Sequence, residues 1–356
     1  MPILSDADFK KYRKILKFEP MLKETGPSSQ DLHISQVYLP PKPPQDHESF
    51  EAMVNAPAVD FVKRLDKMPL KSRNSDSFWY LEPKSYYLAT TVETVTLPEQ
   101  FNIDVDSRSS WARMGLRVAH ADSDLNSYRK NFTGKILLML TVQDKPILLR
   151  PKDRICQAAV YDYLKPLRNN ELLDVLTTGD IGCYKIMPEN LSVAKAPLWN
   201  IEASSLLLTL NEDIKKFVGH EIDPKANNSQ SYRKINISQG CDVGNNNFYL
   251  GSSNETICIG NKYVGMLREI FAEPQRARVH ANAGFIDPGF EGTITLEQYI
   301  PGPLLSIIFP NMQMGELEIH ELLSPCKKPY KSKYSGQQGT TIGKSHLDYT
   351  QKGKSK

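Results

Sequence analysis

The sequence contains little cysteine and no long apolar run. Its 356 residues include five cysteines and no C-x-x-C pair, a pattern that fits neither a cysteine-rich zinc site nor a disulfide framework. No stretch approaches the roughly 20 apolar residues that cross a bilayer, and the N-terminus lacks the apolar core of a secretory signal. We therefore expect a cytoplasmic protein with no membrane contacts.

A strong excess of charge of one sign is also missing. The chain has 44 basic and 41 acidic residues, which gives a net charge of +3, and so small an excess does not indicate nucleic-acid binding. Apolar residues make up 40% and charged residues 24% of the chain, which is ordinary for a folded protein. The length is sufficient for two domains, and we expect no nucleic-acid partner.

Strand-like segments follow one another from Phe78 onward, and their patterns return in the second half of the chain. Residues 87–97 correspond to residues 249–259 at a distance of 162 residues. Residues 132–136 correspond to 290–294, and 151–155 to 310–314, at distances of 158 and 159 residues. A nearly constant distance over three matches indicates an internal duplication of one β-rich unit.

Helix signals are few. Ser5 and Asp8 have the spacing of a helix N-cap followed by an acidic first turn, so a short helix is predicted near the N-terminus. A second capped helix is predicted over residues 170–176, ending at Gly179. The proline-rich run over residues 40–44 is typical of an extended connector.

Residues 107–113 read SRSSWAR. Small hydroxyl side chains beside arginine suit the binding of phosphate oxygens, because serine can donate single hydrogen bonds and arginine can donate them in pairs. Taken alone, the segment fits a capped surface helix with a solvated arginine better.

Residues 283–297 read AGFIDPGFEGTITLE. Asp287, Pro288 and Gly289 form a turn signal, since proline fixes φ and glycine accepts a positive φ. The alternation that follows predicts a strand, so a hairpin with Asp287 at its turn and Glu297 near the end of an apolar strand is expected. Taken alone, this pattern also fits a solvated hairpin with an outward-facing glutamate.

Each repeat keeps one of these motifs and lacks the other. In the first repeat, the positions of Asp287 and Glu297 are occupied by Arg129 and Met139. In the second repeat, the serine-arginine motif would recur at residues 264–272, which read VGMLREIFA. This complementary retention predicts one composite site, in which residues 108–113 face residues 283–297.

The two motifs resemble signature segments of the dCTP deaminase family in the dUTPase-like superfamily. Residues 27–32 (PSSQDL) resemble the segment after that family's first helix, and KPY followed by KYSGQQG resembles the C-terminal segment that folds over the nucleotide. The resemblance implies a mainly β fold with two dUTPase-like distorted, jelly-roll-like β-barrels in tandem and a few short helices.

The expected divisions of the chain follow from this resemblance and from the repeats. Residues 1–75 would form an N-terminal helix and connector that belong to the first domain. The first repeat would cover residues 76–185 and the second repeat residues 186–325. Residues 326–356 would form a flexible tail that closes over the nucleotide.

The resemblance also implies roles for individual residues. Glu297 would act as the catalytic base and then as the acid, with a pKa raised by apolar neighbours. Ser109 and Arg113 would stand beside the reacting base. Nucleotide contacts would come from Arg108 and Ser110 at the triphosphate, Asp287 at the sugar, the backbone of Thr295 and Leu296 at the base, and Tyr330, Lys333 and Gln337 in the tail.

Cofactors and assembly are expected on the same grounds. Zinc deaminases hold their metal with an H-x-E and a P-C-x-x-C segment, and the sequence contains neither, so no zinc is expected. Mg²⁺ is expected to arrive on the triphosphate and to need no protein ligand. Because sites of the superfamily form between barrels, a homo-oligomer is expected, with dCTP and dUTP as ligands.

Three functions remain open at this point. The first is hydrolytic deamination of dCTP to dUTP and ammonia, a step in pyrimidine deoxynucleotide synthesis. The second is a dUTP diphosphatase or a bifunctional enzyme, in which Asp287 activates water against the α-phosphate. The third is of another class, a non-catalytic nucleotide-binding protein whose missing motifs reflect decay.

Overall fold

The computed structural model describes residues 3–21, 25–40, 62–120, 131–162, 166–186, 195–197, 200–202, 204–243, 247–268, 271–272, 277–278, 283–299 and 307–350. Within these ranges the α-helices are α1 (Asp6–Tyr12), α2 (Ser109–Ala112), α3 (Asn169–Thr178) and α4 (His346–Thr350), and a 3-10 helix covers Asn228–Ser231. The first strands are β1 (Lys17–Glu19), β2 (Gln30–Tyr38), β3 (Lys71–Arg73), β4 (Asp76–Leu81), β5 (Ser85–Leu97), β6 (Asn102–Ser107), β7 (Leu116–His120), β8 (Phe132–Val142), β9 (Ile147–Leu149) and β10 (Arg154–Tyr161).

The remaining strands lie beyond residue 180. They are β11 (Ile181–Ile186), β12 (Lys195–Pro197), β13 (Ile201–Glu202), β14 (Ser205–Thr209), β15 (Ile214–Phe217), β16 (Tyr232–Ile235), β17 (Cys241–Asp242), β18 (Phe248–Ile259), β19 (Tyr263–Arg268), β20 (Phe271–Ala272), β21 (Ala277–Arg278), β22 (Phe285–Ile286), β23 (Glu291–Tyr299), β24 (Ile307–Ile308) and β25 (Gln313–Glu321). The chain is therefore mainly β, as the sequence predicts.

The first half of the chain forms a closed barrel. Its strands lie in the order β1-β5-β2-β10-β6-β7-β8, and β8 also pairs with β5, which closes the sheet on itself. Closure leaves few unpaired strand edges. Apolar side chains fill the interior, including the buried Trp79, Trp111 and Leu138.

The second half forms two packed sheets. One sheet has the order β12-β11-β18-β15-β16 with β23 beside β18, and the other has the order β13-β14-β25-β19-β22. Their facing sides share one apolar core that contains the fully buried Leu206, Ile257 and Leu317. This arrangement buries one face of each sheet, as in other β-sandwich and barrel folds.

The two halves share the same strand register. Val95 lies opposite Gly134 in the β5–β8 pair, and Ile257 lies opposite Gly292 in the β18–β23 pair. Each pair also shifts register once, between Thr90 and Thr94 in the first barrel and between Ser252 and Thr256 in the second. Residues that match in the sequence therefore occupy equivalent places in the two barrels.

A hydrogen-bond pattern at these register shifts is repeated as well. In the first barrel the Thr91 hydroxyl donates to the Glu93 carbonyl and accepts from the Ile136 amide. In the second barrel the hydroxyl of Ser253 makes the same two bonds, to the carbonyl of Glu255 and from the amide of Ile294. The predicted duplication into two related β-barrels is confirmed.

The boundary between the barrels lies earlier than the sequence assigns it. Residues up to 185 are assigned to the first repeat by sequence, but the predicted helix α3 and strand β11 pack with the second core. Strand β11 pairs with β18, placing Ile181 opposite Ile259. Helix α3 ends at Gly179, which adopts a φ of 82°, a left-handed conformation that glycine tolerates best.

The N-terminus connects the two barrels. The capping box of α1 forms as predicted, with the Ser5 hydroxyl 2.9 Å from the Asp8 carboxylate. That carboxylate also accepts from the Ser324 hydroxyl at 2.7 Å, at the end of the second barrel. A small apolar cluster between the barrels includes Ile3, Met266 and Phe285. The proline-rich connector at residues 41–44 lies outside the described residues.

The C-terminal segment over residues 326–350 runs across both barrels. Its side chains of Tyr334, Gln337 and Ser345 are buried, although the sequence predicts a flexible tail. Residues 351–356 lie outside the described residues. The helices are short throughout the described ranges, and none combines the length and the apolar character that a bilayer span requires.

Candidate active site

The first barrel contributes the serine-arginine motif. Strand β6 ends at Ser107, and the single helical turn α2 follows, with Arg108 in extended conformation at its N-cap. The Arg108 amide donates to the Ile155 carbonyl at 3.0 Å, and the indole of the buried Trp111 donates to the Arg154 carbonyl at 2.7 Å. These bonds hold the turn against β10, so that Ser109 and Ser110 face a cavity.

The second barrel contributes the turn between β22 and β23, called the Asp287 turn below. The predicted hairpin is wrong, because β22 pairs with β19 in one sheet and β23 pairs with β18 in the other. Gly289 adopts a φ of 84° at the turn, and the Phe290 amide donates to the Asp287 carbonyl at 3.1 Å, as the turn signal predicts. Along β23 the side chains of Thr295 and Glu297 border the cavity. Leu296 faces the opposite way, into the core of the second barrel.

The two motifs meet at one cavity of about 310 Å³. The C-terminal segment lies over it, because the Tyr330 amide donates to the Pro288 carbonyl at 2.7 Å and the Gly336 amide donates to the Glu291 carbonyl at 2.7 Å. The predicted site residues that border the cavity are Arg108, Ser109, Ser110, Arg113, Asp287, Thr295, Glu297, Tyr330, Lys333 and Gln337. Leu296 is not among them.

Arg113 occupies the centre of the contact between motif and tail. Its guanidinium donates to the Gln337 side-chain oxygen at 3.0 Å and to the Thr341 carbonyl at 3.2 Å. It also lies 3.9 Å from the centre of the Tyr334 ring, within the range of a cation–π interaction. The Tyr334 hydroxyl lies 2.9 Å from the Ser110 hydroxyl. The C-terminal segment thus holds the side chains of Ser110 and Arg113 in place.

The Arg113 Nε and the Thr295 hydroxyl are buried at the cavity and have no hydrogen-bond partner among the described residues. Buried polar groups are nearly always satisfied in folded proteins. An unpaired donor and an unpaired hydroxyl on opposite barrels indicate that the cavity is built for a polar ligand.

A cluster of five charged side chains lies at the Arg108 end of the cavity. Asp31 binds Arg108 at 3.0 Å and Arg154 at 2.8 Å, and Asp348 of α4 binds the same two arginines at 3.1 Å and 2.8 Å. Lys333 lies 3.0 Å from Asp348. Three cations against two carboxylates leave a positive excess, which suits a polyanionic ligand.

The charges in this cluster hold each other ionised. Burial lowers the pKa of Lys333 to about 8, while the Asp348 carboxylate opposes that shift, so the ammonium remains protonated at neutral pH. Burial disfavours ionisation of Asp348 too, but Arg108 and Lys333 outweigh it and lower the pKa of Asp348 below its ordinary value. The tail is therefore held by charge at a place where an anion would bind.

Asp287 has a different environment. The Ser28 hydroxyl, from the PSSQDL segment of the first barrel, donates to its carboxylate at 2.8 Å. Removal from water raises the pKa of Asp287 to about 6; the hydrogen bond from Ser28 and the charge of Arg108 oppose the shift. Near neutral pH such a carboxylate is ionised yet able to accept a proton.

Glu297 is 2% exposed and lies opposite Leu250 on β18. Met139 lies opposite Leu88 in the same register of the first barrel, which agrees with the sequence alignment of the two repeats. Met139 is 38% exposed and carries no ionisable group. The carboxylate at this strand position is present only in the second barrel.

Metal ligands do not cluster in the described residues, where no group of three His, Cys, Asp or Glu side chains could hold an ion. Two carboxylates at the cavity have other partners, because Asp31 binds arginines and Asp287 accepts a hydrogen bond from Ser28.

Sequence reasoning missed several residues at the site. Gln157 of β10 also borders the cavity, as do Phe285 and Phe290, and Tyr334 contacts both Ser110 and Arg113. The PSSQDL and KYSGQQG segments contained a signal for Asp31 and Tyr334, because both residues lie inside segments that resemble the family. Gln157 lies outside every recognised motif, so no local pattern indicated it.

Comparison with known proteins places this geometry in a family. The sequence model of a family described as dCTP deaminase-like matches residues 3–162 and 175–322. The chain belongs to the dCTP deaminase-like family. The two matched segments coincide closely with the two barrels, and the break between them agrees with the early boundary seen in the structure.

Relatives within the dCTP deaminase-like family carry a more specific name. A protein of Beutenbergia cavernae named "dCTP deaminase, dUMP-forming" is 30% identical over 160 residues, covering 42% of this chain and 83% of that protein. A protein of the same name from Corynebacterium glutamicum is 33% identical over 139 residues, covering 37% of this chain and 74% of the relative.

A solved structure agrees over almost the full length. The crystal structure of 2'-deoxycytidine 5'-triphosphate deaminase from Agrobacterium tumefaciens is 18% identical, with a TM-score of 0.69, and the match covers 92% of this chain and 99% of that one. At this identity the likeness concerns the fold. Its coverage shows that the fold of both barrels, and not of one alone, is shared.

Proposed function

We propose that this chain deaminates dCTP hydrolytically in the composite cavity. The observation that carries the proposal is that Glu297 of the second barrel and the Arg108–Arg113 segment of the first barrel border the same cavity of about 310 Å³. Each barrel supplies what the other lacks. Random loss of motifs would not be expected to preserve one copy of each part at one place, so the site favours catalysis over decay.

The chemistry assigns a task to each residue. Water adds to C4 of the cytosine ring, a proton reaches N3, and the C4–N bond breaks to release ammonia, so that dCTP and water give dUTP and ammonia. Glu297 would take the proton from water and return it to the leaving amine. Arg113 and Ser109 would orient the water and stabilise charge that develops at C4.

The polyanionic end of the substrate would lie at the charged cluster. Arg108 and Ser110 would contact the triphosphate, with Lys333 and Gln337 closing from the tail. Mg²⁺ would enter with the phosphates. Tyr330 borders the same cavity, and its ring packs on Phe290 at a centre distance of 6.2 Å, which would give the nucleotide an aromatic wall.

A second activity at the same site is favoured by a separate observation. The expected product was dUTP, whereas the relatives are named as dUMP-forming. Asp287 borders the cavity with a pKa raised to about 6 by desolvation, which suits a base that activates water. We therefore propose that dUTP is hydrolysed further to dUMP and pyrophosphate before release.

The test is to incubate the purified protein with dCTP and Mg²⁺, to follow ammonia release and to separate the nucleotide products. Replacing Glu297 with Gln should lower the rate of ammonia release at least about 100-fold while nucleotide binding changes little, because the amide cannot transfer the proton. A matched control is Glu255→Gln, since Glu255 is equally buried in the same barrel but binds Thr209.

The outcomes separate the three candidate functions. Accumulation of dUMP and pyrophosphate from dCTP supports the bifunctional enzyme, and accumulation of dUTP supports the deaminase alone. Binding of dCTP without any turnover would establish a non-catalytic nucleotide-binding protein. Unchanged turnover in E297Q would show that another group is the base.

A further inference from the structure

The side chain of Asp106 joins the first barrel to the second next to both motifs of the site. Asp106 is the residue before Ser107 in β6, and its Oδ2 accepts a hydrogen bond from the amide of Gly284 in the second barrel. Gly284 begins the segment that leads through β22 to Asp287. The bond therefore links the start of the serine-arginine motif to the start of the motif over residues 283–297.

Both ends of this bond are held by regular structure. On the first barrel, Asp106 pairs with Gln157 of β10 and with Ala119 of β7, and its Oδ1 accepts from the Ser107 amide at 2.7 Å. The carboxylate thus has a fixed orientation. A hydrogen bond between two such rigid elements restrains their relative placement, because neither end can adjust by rotating freely.

The opposite end is equally constrained. The Gly284 carbonyl accepts from the Leu267 amide at 2.8 Å, and the next residue, Phe285, pairs with Met266 of β19. A Cβ atom at Gly284 would lie 3.0 Å from the Leu267 carbonyl oxygen and 3.2 Å from the Asp106 carboxylate. Both distances are short for a Cβ atom, so a side chain at Gly284 would press against the backbone of β19 and against Asp106.

The environment of Asp106 is unfavourable for a carboxylate. Removal from water raises the pKa of Asp106 to about 7, and the nearby Asp104 adds to the shift while the amide bonds oppose it. A cavity of about 260 Å³ between the barrels reaches this residue and is lined also by Arg117 and Arg268. Asp106 is half-buried, and both of its carboxylate oxygens accept backbone hydrogen bonds.

We propose that Asp106 is a positioning residue for the composite site. It sets the distance between two segments. One is the helical turn α2 with Ser109 and Arg113, and the other is the Asp287 turn with the strand β23 that carries Glu297. The inference rests on the proposed deamination for its rate measurement, but the bond itself can be observed independently. Asp106 borders the second cavity and not the cavity of the site, so its effect is transmitted through the two segments.

The experiment compares three variants of the full chain. Asp106→Ala removes the acceptor, Asp106→Asn keeps an acceptor oxygen of the same shape, and Asp104→Asn changes a neighbouring acid without touching the bond. D106A should lower kcat about 10- to 100-fold with KM changed less than about threefold, since misplacement affects the reaction more than binding. D106N and D104N should retain most of kcat.

A second readout does not depend on activity. Hydrogen exchange at the Gly284 amide should be faster in D106A than in the wild type, and close to the wild type in D106N and D104N. If the wild type releases no ammonia from dCTP, the proposed function fails. The exchange measurement still decides whether Asp106 binds the Gly284 amide and restrains the segment that leads to the Asp287 turn.

Several results would overturn the proposal. A folded D106A with unchanged kcat would show that the Asp106–Gly284 bond does not position the residues that carry out the reaction. Unchanged exchange at Gly284 would show that the bond does not form, and a D106N as slow as D106A would assign the effect to charge. If D106A does not fold, Gly284→Ala tests the same bond from the other side and should lower kcat in the same way.

Discussion

Asp287 borders the cavity and is a carboxylate whose ionisation changes within the working range of an enzyme. Its pKa is raised to about 6 by desolvation, against the hydrogen bond from Ser28. A raised pKa means that the carboxyl group is protonated below that pH and cannot accept a proton from water. The proposed second hydrolysis should then fail before the general stability of the fold is affected.

The ratio of dUMP to dUTP formed from dCTP should therefore fall as the pH is lowered through about 6. A ratio is the useful quantity, because losses in the shared deamination step cancel. Chromatography of the products over a pH series measures it. Asp287→Asn should give dUTP at every pH, with ammonia release continuing; a D287N enzyme that still forms dUMP would contradict the assignment of Asp287 as the base.

Residue-level prediction from sequence named residues that border one cavity where a motif is contiguous, and it missed contacts that join distant segments. The alternation of β23 itself distinguishes Leu296 from its neighbours, because residues 295 and 297 share one face of a strand and residue 296 takes the other. The contact between Ser110 and Tyr334 joins residues 224 positions apart, and no local pattern contains such information.

At the level of elements, the C-terminal segment over residues 326–350, called the closing segment below, holds side chains of the site in fixed positions. The Gln337 side chain accepts from Arg113 and donates to the Thr293 carbonyl, while its backbone bonds to Thr293 at 3.0 Å. This residue therefore connects the motif of one barrel with the central strand of the other. The neighbouring Gln338 is exposed.

Two variants of adjacent glutamines can test the closing segment. Gln337→Ala should lower kcat about tenfold, because Arg113 loses a partner that orients it, and should reduce stability by about 1 kcal/mol through the lost hydrogen bonds. Gln338→Ala should change neither. Steady-state kinetics and thermal unfolding of both proteins provide the measurement, and equal behaviour of the two variants would show that the segment does not organise the site.

Element boundaries were predicted less well than element types. Both predicted helices formed, since capping residues and apolar spacing act over a few positions. The division between repeats was placed too late, because helix α3 and β11 carry no sign of which core they join. That choice is made by pairing with β18, which is more than 60 residues away in the chain.

At the level of the whole molecule, one chain contains the complete candidate site. One cavity is bordered by the serine-arginine motif of the first barrel, the Asp287 turn and strand β23 of the second barrel, and the closing segment. Self-association was expected from the superfamily and stays a prediction. The structure provides a reason for activity that does not depend on exchange of barrels between chains.

Mixing inactive variants can examine this point. Arg113→Ala and Glu297→Gln disable opposite halves of the site, so an equimolar mixture or a co-expressed pair should release no more ammonia than either variant alone. A mixture of the wild type with the double variant R113A/E297Q serves as the control for dilution. Recovery of activity well above both single variants would show that sites are shared between chains.

The bonds between Arg113 and Gln337 and between Asp106 and Gly284 reach across 224 and 178 residues of the sequence. Arg113 and Glu297 lie on different barrels, so neither barrel alone contains both groups that the proposed deamination uses. Exchange of one barrel for that of a distant relative would replace one partner of each bond, and such chimaeras are expected to be folded but inactive.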